Sequence, residues 1–307
     1  MSDYGRPVSF GLFPEPLAGD IPALLDTVQE ADRRGLDVVG IQDHPYQRRF
    51  LDTFTLIAWL AARTERIGFF PDVANLPLRP PAVLAKAAAS LDLLSGGRFD
   101  LGLGAGGFWD AIAAMGGPRR DKSEALEALG EAVEVLRLCW SGERGLRYEG
   151  RHYQLAGMHS GPVPSRPIGI WLGVGGPRAL RLCGRVADGW VPSSGWAGPD
   201  RLPELNARLD AAAVEAGRQP REIRRLYNVN GVITNGRSAG FLHGPVDQWV
   251  EELTDLVLEQ GMDTFVLWPA RPDEADQAGD GTNQLRRYAE QVAPAVREEV
   301  ARARGLS

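Results

Sequence analysis

Asp37-Val38-Val39-Gly40-Ile41-Gln42-Asp43-His44-Pro45 runs from a short apolar stretch straight into three polar side chains. Residues 37–42 predict a strand that is apolar on both faces, the pattern of a parallel strand buried beneath helices. Polar, titratable side chains directly after such a strand are costly to bury unless they line a site.

The same alternation extends in both directions. Upstream, Val8 to Phe13 predicts a strand. Asp20 caps a helix from Ile21 to Arg34, with Pro22 in its first turn and Gly35 at its end. Downstream come a helix over 52–63, a strand over 67–70, a helix over 81–94, a turn at Ser95-Gly96-Gly97, a strand over 99–104 and a helix over 123–140. The rhythm then breaks: Leu146-Arg147-Tyr148 and His152-Tyr153-Gln154-Leu155 flank Glu149-Gly150-Arg151, which predicts a β-hairpin. After Pro162, Pro164 and Pro167 the alternation resumes, with strands at 168–173, 189–191, 226–234 and 264–268 and helices at 177–186, 200–217, 246–260 and 283–303. Eight strand–helix units with a hairpin inserted after the fourth helix predict an α/β fold, a single (β/α)8 TIM barrel over residues 1–307. Two Gly-rich segments on the expected active-site side, Thr234–Gly244 and Ala270–Thr282, are candidate lids.

Composition narrows the function classes. The 307 residues carry a formal net charge of -6, and the arginines are scattered singly or in pairs, so no basic stripe for nucleic acid is present. No apolar run approaches the roughly 20 residues that span a bilayer. The polar start, Met1 to Arg6, predicts no signal peptide, and two cysteines, Cys139 and Cys183, on helix faces suit a reducing cytoplasm. HExxH, GxSxG and Walker patterns are absent, the four histidines are far apart, and no metal site is expected.

In a barrel of this kind, chemistry sits where strands end. Asp43 and His44 follow the second strand, and His44 is a candidate acid or base near neutral pH. Asp72, Val73 and Asn75 follow the third. Gly102 to Asp110 follows the fourth; its glycines lack dinucleotide spacing and predict close backbone approach to a flat ligand, with Trp109 and Asp110 near it. After the fifth strand, Gly173, Gly175, Gly176, Pro177 and Arg178 open a helix, a ready anion site for a phosphate. Ser193, Ser194 and Trp196 follow the sixth strand, and Trp268 ends the eighth.

Taken together, five stretches resemble the luciferase-like flavin monooxygenase superfamily, in its order. They are Gln42 to Pro45; Leu76 to Lys86; Leu91 to Phe99 with Gly102 to Gly106; Tyr148 to Tyr153; and Gly175 to Leu180 with Ala187 to Trp190. The resemblance covers residues 8–191 well and the last third loosely. It implies a barrel that binds coenzyme F-420 (a deazaflavin) or FMN and transfers hydride to or from a small organic substrate, with His44 at the reacting centre and Asp110 as a further acid or base. It also implies a non-prolyl cis peptide near Asp72-Val73 beneath the ring, phosphate at Gly175 and Gly176, and a homodimer. Asp43, His44, Asp72, Val73, Asn75, Ala105, Gly106 and Trp109 would lie beside the cofactor. Two departures limit the transfer of any one mechanism. Ala105 stands where luciferase has a phosphate-gripping arginine, and Gly107 where sugar-phosphate dehydrogenases have a glutamate. The alternatives are a two-component FMN monooxygenase served by a separate flavin reductase, a non-catalytic flavin-binding barrel, and a flavin-free lyase or hydrolase.

Overall fold

The structure, a computed structural model, describes residues 3–268 and 281–306, with side chains from residue 283 in the second stretch. Its strands are β1 (Ser9–Leu12), β2 (Val38–Ile41), β3 (Gly68–Pro71), β4 (Ala74–Asn75), β5 (Leu101–Gly104), β6 (Leu146–Glu149), β7 (Gln154–Met158), β8 (Ile170–Leu172), β9 (Gly189–Trp190), β10 (Arg224–Asn230), β11 (Val232–Ile233), β12 (His243–Gly244) and β13 (Thr264–Trp268). The helices are α1 (Ile21–Arg33), α2 (Thr53–Ala61), α3 (Pro81–Ser95), α4 (Trp109–Ala114), α5 (Lys122–Trp140), α6 (Pro177–Val186), α7 (Leu202–Glu215), α8 (Val246–Leu258), α9 (Gly281–Arg287) and α10 (Ala293–Ala303).

The main sheet runs β3-β2-β1-β13-β10-β9-β8-β5-β4, and its pairs are parallel. β3 and β4 are two halves of one barrel strand. The first half pairs with β2 and the second with β5. Phe69 closes the ring, donating to Arg98 O at 2.8 Å and accepting from Asp100 N at 3.0 Å. Eight strand positions therefore make a closed parallel barrel with helices outside, the TIM arrangement. β6 and β7 pair antiparallel beside it.

Local sequence sets the helix ends. Asp20, Asp52 and Asp121 cap α1, α2 and α5, and Asp121 with Glu124 forms a capping box. α3 starts at the Pro80-Pro81 pair and stops at Gly96, whose φ of 68° suits a residue without Cβ. Between helices and sheet lies one large apolar layer that includes Phe10, Val39, Ile41, Leu101, Leu103, Trp190 and both free cysteines, Cys139 and Cys183.

Inside the barrel is a second cluster: Phe13, Val38, Phe70, Trp171, Val191, Leu226 and Val266. Each barrel strand or its end supplies one of these residues except β5, whose inward positions are Gly102 and Gly104. A Cβ on Gly102 would collide with the Pro71 carbonyl, and one on Gly104 would lie 2.6 Å from Val73 Cγ2. These glycines make room for the bend between β3 and β4, where the Asp72–Val73 peptide is cis. The sequence reading assigned them to close approach by a ligand; the strand next door needs them first.

Two expected elements differ. The seventh strand was expected to reach Thr234, but β10 ends at Asn230. Gly231 sits too tightly against Leu242 and Trp249 for a side chain, and β11 then pairs with β12 instead. That pairing tethers Thr234–Gly244, a candidate lid. Val232 N donates to Leu242 O and Thr234 N to Gly244 O, both at 2.8 Å, and the Leu242 side chain is fully buried. The other candidate lid, Ala270–Thr282, lies outside the described residues apart from the backbone of its last two.

Candidate active site

Asp43 ends the second strand and is buried. Its Oδ2 accepts from Asn75 N at 2.8 Å and Arg79 Nε at 2.7 Å, and its Oδ1 from Arg79 Nη2 at 2.7 Å. Arg79 also pairs with Asp52 at 2.7 Å, and two carboxylates hold its guanidinium charged despite burial. A fork of this geometry is the strong form of ion pair. Asp43 was expected to touch the cofactor. Both its oxygens are instead engaged in joining the end of the second strand to the end of the third.

His44, the next residue, is half-buried. Its Nδ1 lies 2.6 Å from Tyr46 Oη, and its ring meets the rings of Tyr46 and Phe108 at centroid separations of 5.4 and 5.5 Å. Burial lowers the pKa of His44, opposed by the nearby Asp43 charge. The imidazole is therefore neutral at neutral pH. Burial also pushes the Tyr46 hydroxyl up to about 12. Phe108 is 63 % exposed and forms a rim.

Beyond this rim, three buried acceptor oxygens have no hydrogen-bond partner: Asp72 Oδ2, Asn75 Oδ1 and Asn228 Oδ1. All three residues stand at or near strand ends on one face of the barrel. Asp72 as a residue is half-buried, but its Oδ2 is sealed from solvent. Burial pushes its carboxyl up to about 7, and the Asn228 side chain pulls it back only in part. Buried polar atoms are rarely left single, so each of the three is a place for a donor, and the Asp72 and Asn228 side chains face one another. Val73 turns sideways, against the glycine positions 104 and 173.

On the neighbouring strand end, Gly176 is the N-cap of α6 and no side chain caps it. A Cβ there would meet nothing within 4 Å, whereas one on Gly175 would strike Trp196, which is 46 % exposed. Gly176 thus leaves open space before uncapped N–H groups, with Pro177 at the first helical position. Arg178 donates to Ser123 Oγ at 3.1 Å and is otherwise exposed. Gly106 has a φ of 97° and lies against Pro77 and Trp109. Ala105 and Trp109 are half-buried alongside it.

Asp110 does not join this group. Its side chain is 92 % exposed and paired with Arg119. It points away because α4 begins at Trp109, an element the sequence reading did not contain. Ser194 is turned inward to strand seven, where its Oγ accepts from Asn230 N at 3.1 Å. Trp268 stacks on Phe13 at 4.4 Å. Tyr46, Arg79, Phe108 and Asn228 were not singled out from the sequence. Asn228 had a visible signal, an amide between Tyr227 and Val229 in a predicted strand.

A parallel eight-stranded barrel with a titratable, partly unsatisfied cluster at its strand ends defines a (β/α)8 enzyme. The chain belongs to the luciferase-like monooxygenase family, whose model matches residues 8–297. It is 32% identical over 233 residues to an F420-dependent glucose-6-phosphate dehydrogenase of Kineococcus radiotolerans, covering 72% of this chain and 68% of that one. The corresponding enzyme of Nocardia farcinica is 32% identical over 213 residues, 67% of this chain and 63% of that protein. Among solved structures, an F420-dependent secondary alcohol dehydrogenase in complex with an F420-acetone adduct superimposes with a TM-score of 0.82 at 16% identity, covering 95% of this chain and 99% of that one. The F420-dependent tetrahydromethanopterin reductase of Methanopyrus kandleri gives 0.80 at 19% identity, over 94% and 99%. At these identities the two structures speak to the fold alone.

Proposed function

We propose that the chain is an oxidoreductase that binds coenzyme F-420, with FMN as the alternative, and transfers hydride between the bound ring and a small organic substrate. The observation that carries this reading is the socket of Asp72 Oδ2, Asn75 Oδ1 and Asn228 Oδ1. The polar edge of a flavin or deazaflavin carries an N–H donor flanked by carbonyl oxygens, which matches an acceptor such as these with amide N–H donors beside it, so the residues present fit the group. The relatives named F420-dependent favour the deazaflavin.

Asp72, Asn75 and Asn228 would hold the polar edge, and Val73, Ala105, Gly106 and Trp109 the flat ring. Gly173, Gly175, Gly176, Pro177 and Arg178 would surround the phosphate, with the dipole of α6 favouring negative charge. Asp43 acts at one remove, by fixing Asn75. The cofactor, when bound, supplies the hydride chemistry. The chain supplies orientation, a neutral His44 beside the substrate, and aromatic walls at Phe108, Trp196 and Trp268 that exclude water. Gly107, exposed and with open space around it, offers no acid where the resemblance places a glutamate in the sugar-phosphate enzymes. The substrate is therefore read as a small organic molecule without a sugar phosphate.

Among the described residues no helix is long and apolar enough to cross a membrane. A cytoplasmic location and a homodimer complete the proposal; buried free cysteines favour the first, and the exposed Val83 and Leu94 on α3 favour the second. The test is turnover. Mixing the protein with oxidised F-420 and a panel of small alcohols should bleach the oxidised ring with at least one of them. Consumption of oxygen with reduced FMN instead would move the chain to the monooxygenases. Cofactor binding without turnover of any kind would leave a binding protein.

A further inference from the structure

The hydrogen-bonding around Tyr46 points to a role for it that the sequence reading did not contain. Its hydroxyl lies 2.6 Å from His44 Nδ1. The Asn75 side chain also faces that hydroxyl, and its Oδ1 has no partner. A phenol has one proton to give. Among the described residues His44 Nδ1 is the one acceptor within reach of it. If Nδ1 carried the proton instead, the half-buried Tyr46 O–H would be left without an acceptor among the described residues.

We propose that Tyr46 is a positioning residue that fixes the tautomer of His44. Tyr46 Oη donates to Nδ1, and His44 carries its single proton on Nε2. Among the described residues no group accepts from Nε2, so this N–H remains free for a substrate oxygen. Asp43 holds the Asn75 backbone, the Asn75 side chain faces Tyr46, and Tyr46 holds the imidazole. His44 serves as a neutral donor that marks the substrate as one presenting an oxygen acceptor, a carbonyl or hydroxyl. Only this last step rests on the proposed function; the tautomer is a property of the protein without cofactor.

The experiment is a 15N spectrum of the histidine rings in the full-length protein, with His44 assigned by its loss in His44→Gln. The expected result is a pyridine-like Nδ1 and a pyrrole-like Nε2 at neutral pH. A proton on Nδ1 in the wild type would overturn the proposal without recourse to any variant. In Tyr46→Phe the two nitrogens should move toward averaged shifts, and an unchanged pair would equally overturn it. With cofactor and substrate, Tyr46→Phe should lower kcat by about tenfold with KM within about twofold. An Nε2–H tautomer in a protein that binds neither F-420 nor FMN would keep this inference and remove the proposed function. An Nδ1–H tautomer in a protein that turns over F-420 would do the reverse.

Discussion

Asp72 shows how much a single residue can constrain. A carboxyl held at about 7, against an ordinary 3.8, keeps its proton in the folded chain where the unfolded chain has released it. Across that window the unfolded state binds fewer protons, so stability falls as pH rises and levels off above about 7. Discounted for partial exposure, the loss is on the order of 2 kcal/mol. Asp72→Asn should remove it. Urea unfolding of the apo-protein at about pH 4 and pH 8 should show a wild type that weakens relative to the variant, and parallel behaviour would contradict the burial of Asp72 Oδ2. Arg79 makes the opposite case. Removing it leaves the Asp43 carboxylate buried and half-paired, so Arg79→Ala should cost about 3 kcal/mol. Arg79→Lys should recover only part of that, because an ammonium cannot fork across two oxygens. Denaturant midpoints for the pair of variants check both statements.

At the scale of the element, the sequence was most readable where caps and periodicity agreed. Helix α5 was expected over 123–140 and runs Lys122–Trp140, because Asp121 and Glu124 form a capping box. Less readable was the third strand, where four residues pair one way and two pair another across the Asp72–Val73 bend. No local pattern encodes a strand that changes partner. The glycines of β5 were seen but assigned to the wrong neighbour, since a glycine does not announce what presses against it. This gives a paired expectation. Gly102→Ala should destabilise the barrel by about 3 kcal/mol or prevent folding, because the Pro71 carbonyl is backbone and cannot step aside. Gly107→Ala, with nothing within 4 Å, should change stability by less than about 0.5 kcal/mol. Equal thermal midpoints for the two would contradict the close packing of β5 on the bend.

At the scale of the molecule, the barrel was legible in full: eight alternating units leave closure as the way to bury every strand, and the observed ring has that order. Half of the candidate site was legible too. The strand ends at 43–44, 72–75 and 173–178 do gather on one face. Less was visible in side-chain direction. Asp110 was one residue from Trp109 in sequence, yet α4 turns it to solvent. Asn228 enters the site by facing Asp72 from another strand, which spacing along the chain does not carry, and Tyr46, although two residues from His44, enters through a ring direction that the spacing does not set. What unites the face is its unmet demand for donors in the socket and its open, uncapped helix start at Gly176.

The most direct measurement is therefore a titration of the apo-protein with F-420 and with FMN, oxidised and reduced, in the wild type and in Gly176→Asp. The account predicts micromolar or tighter binding of at least one of them, F-420 first, weakened by about tenfold or more when a carboxylate is placed at the phosphate end. Binding of neither cofactor at micromolar concentration would contradict it.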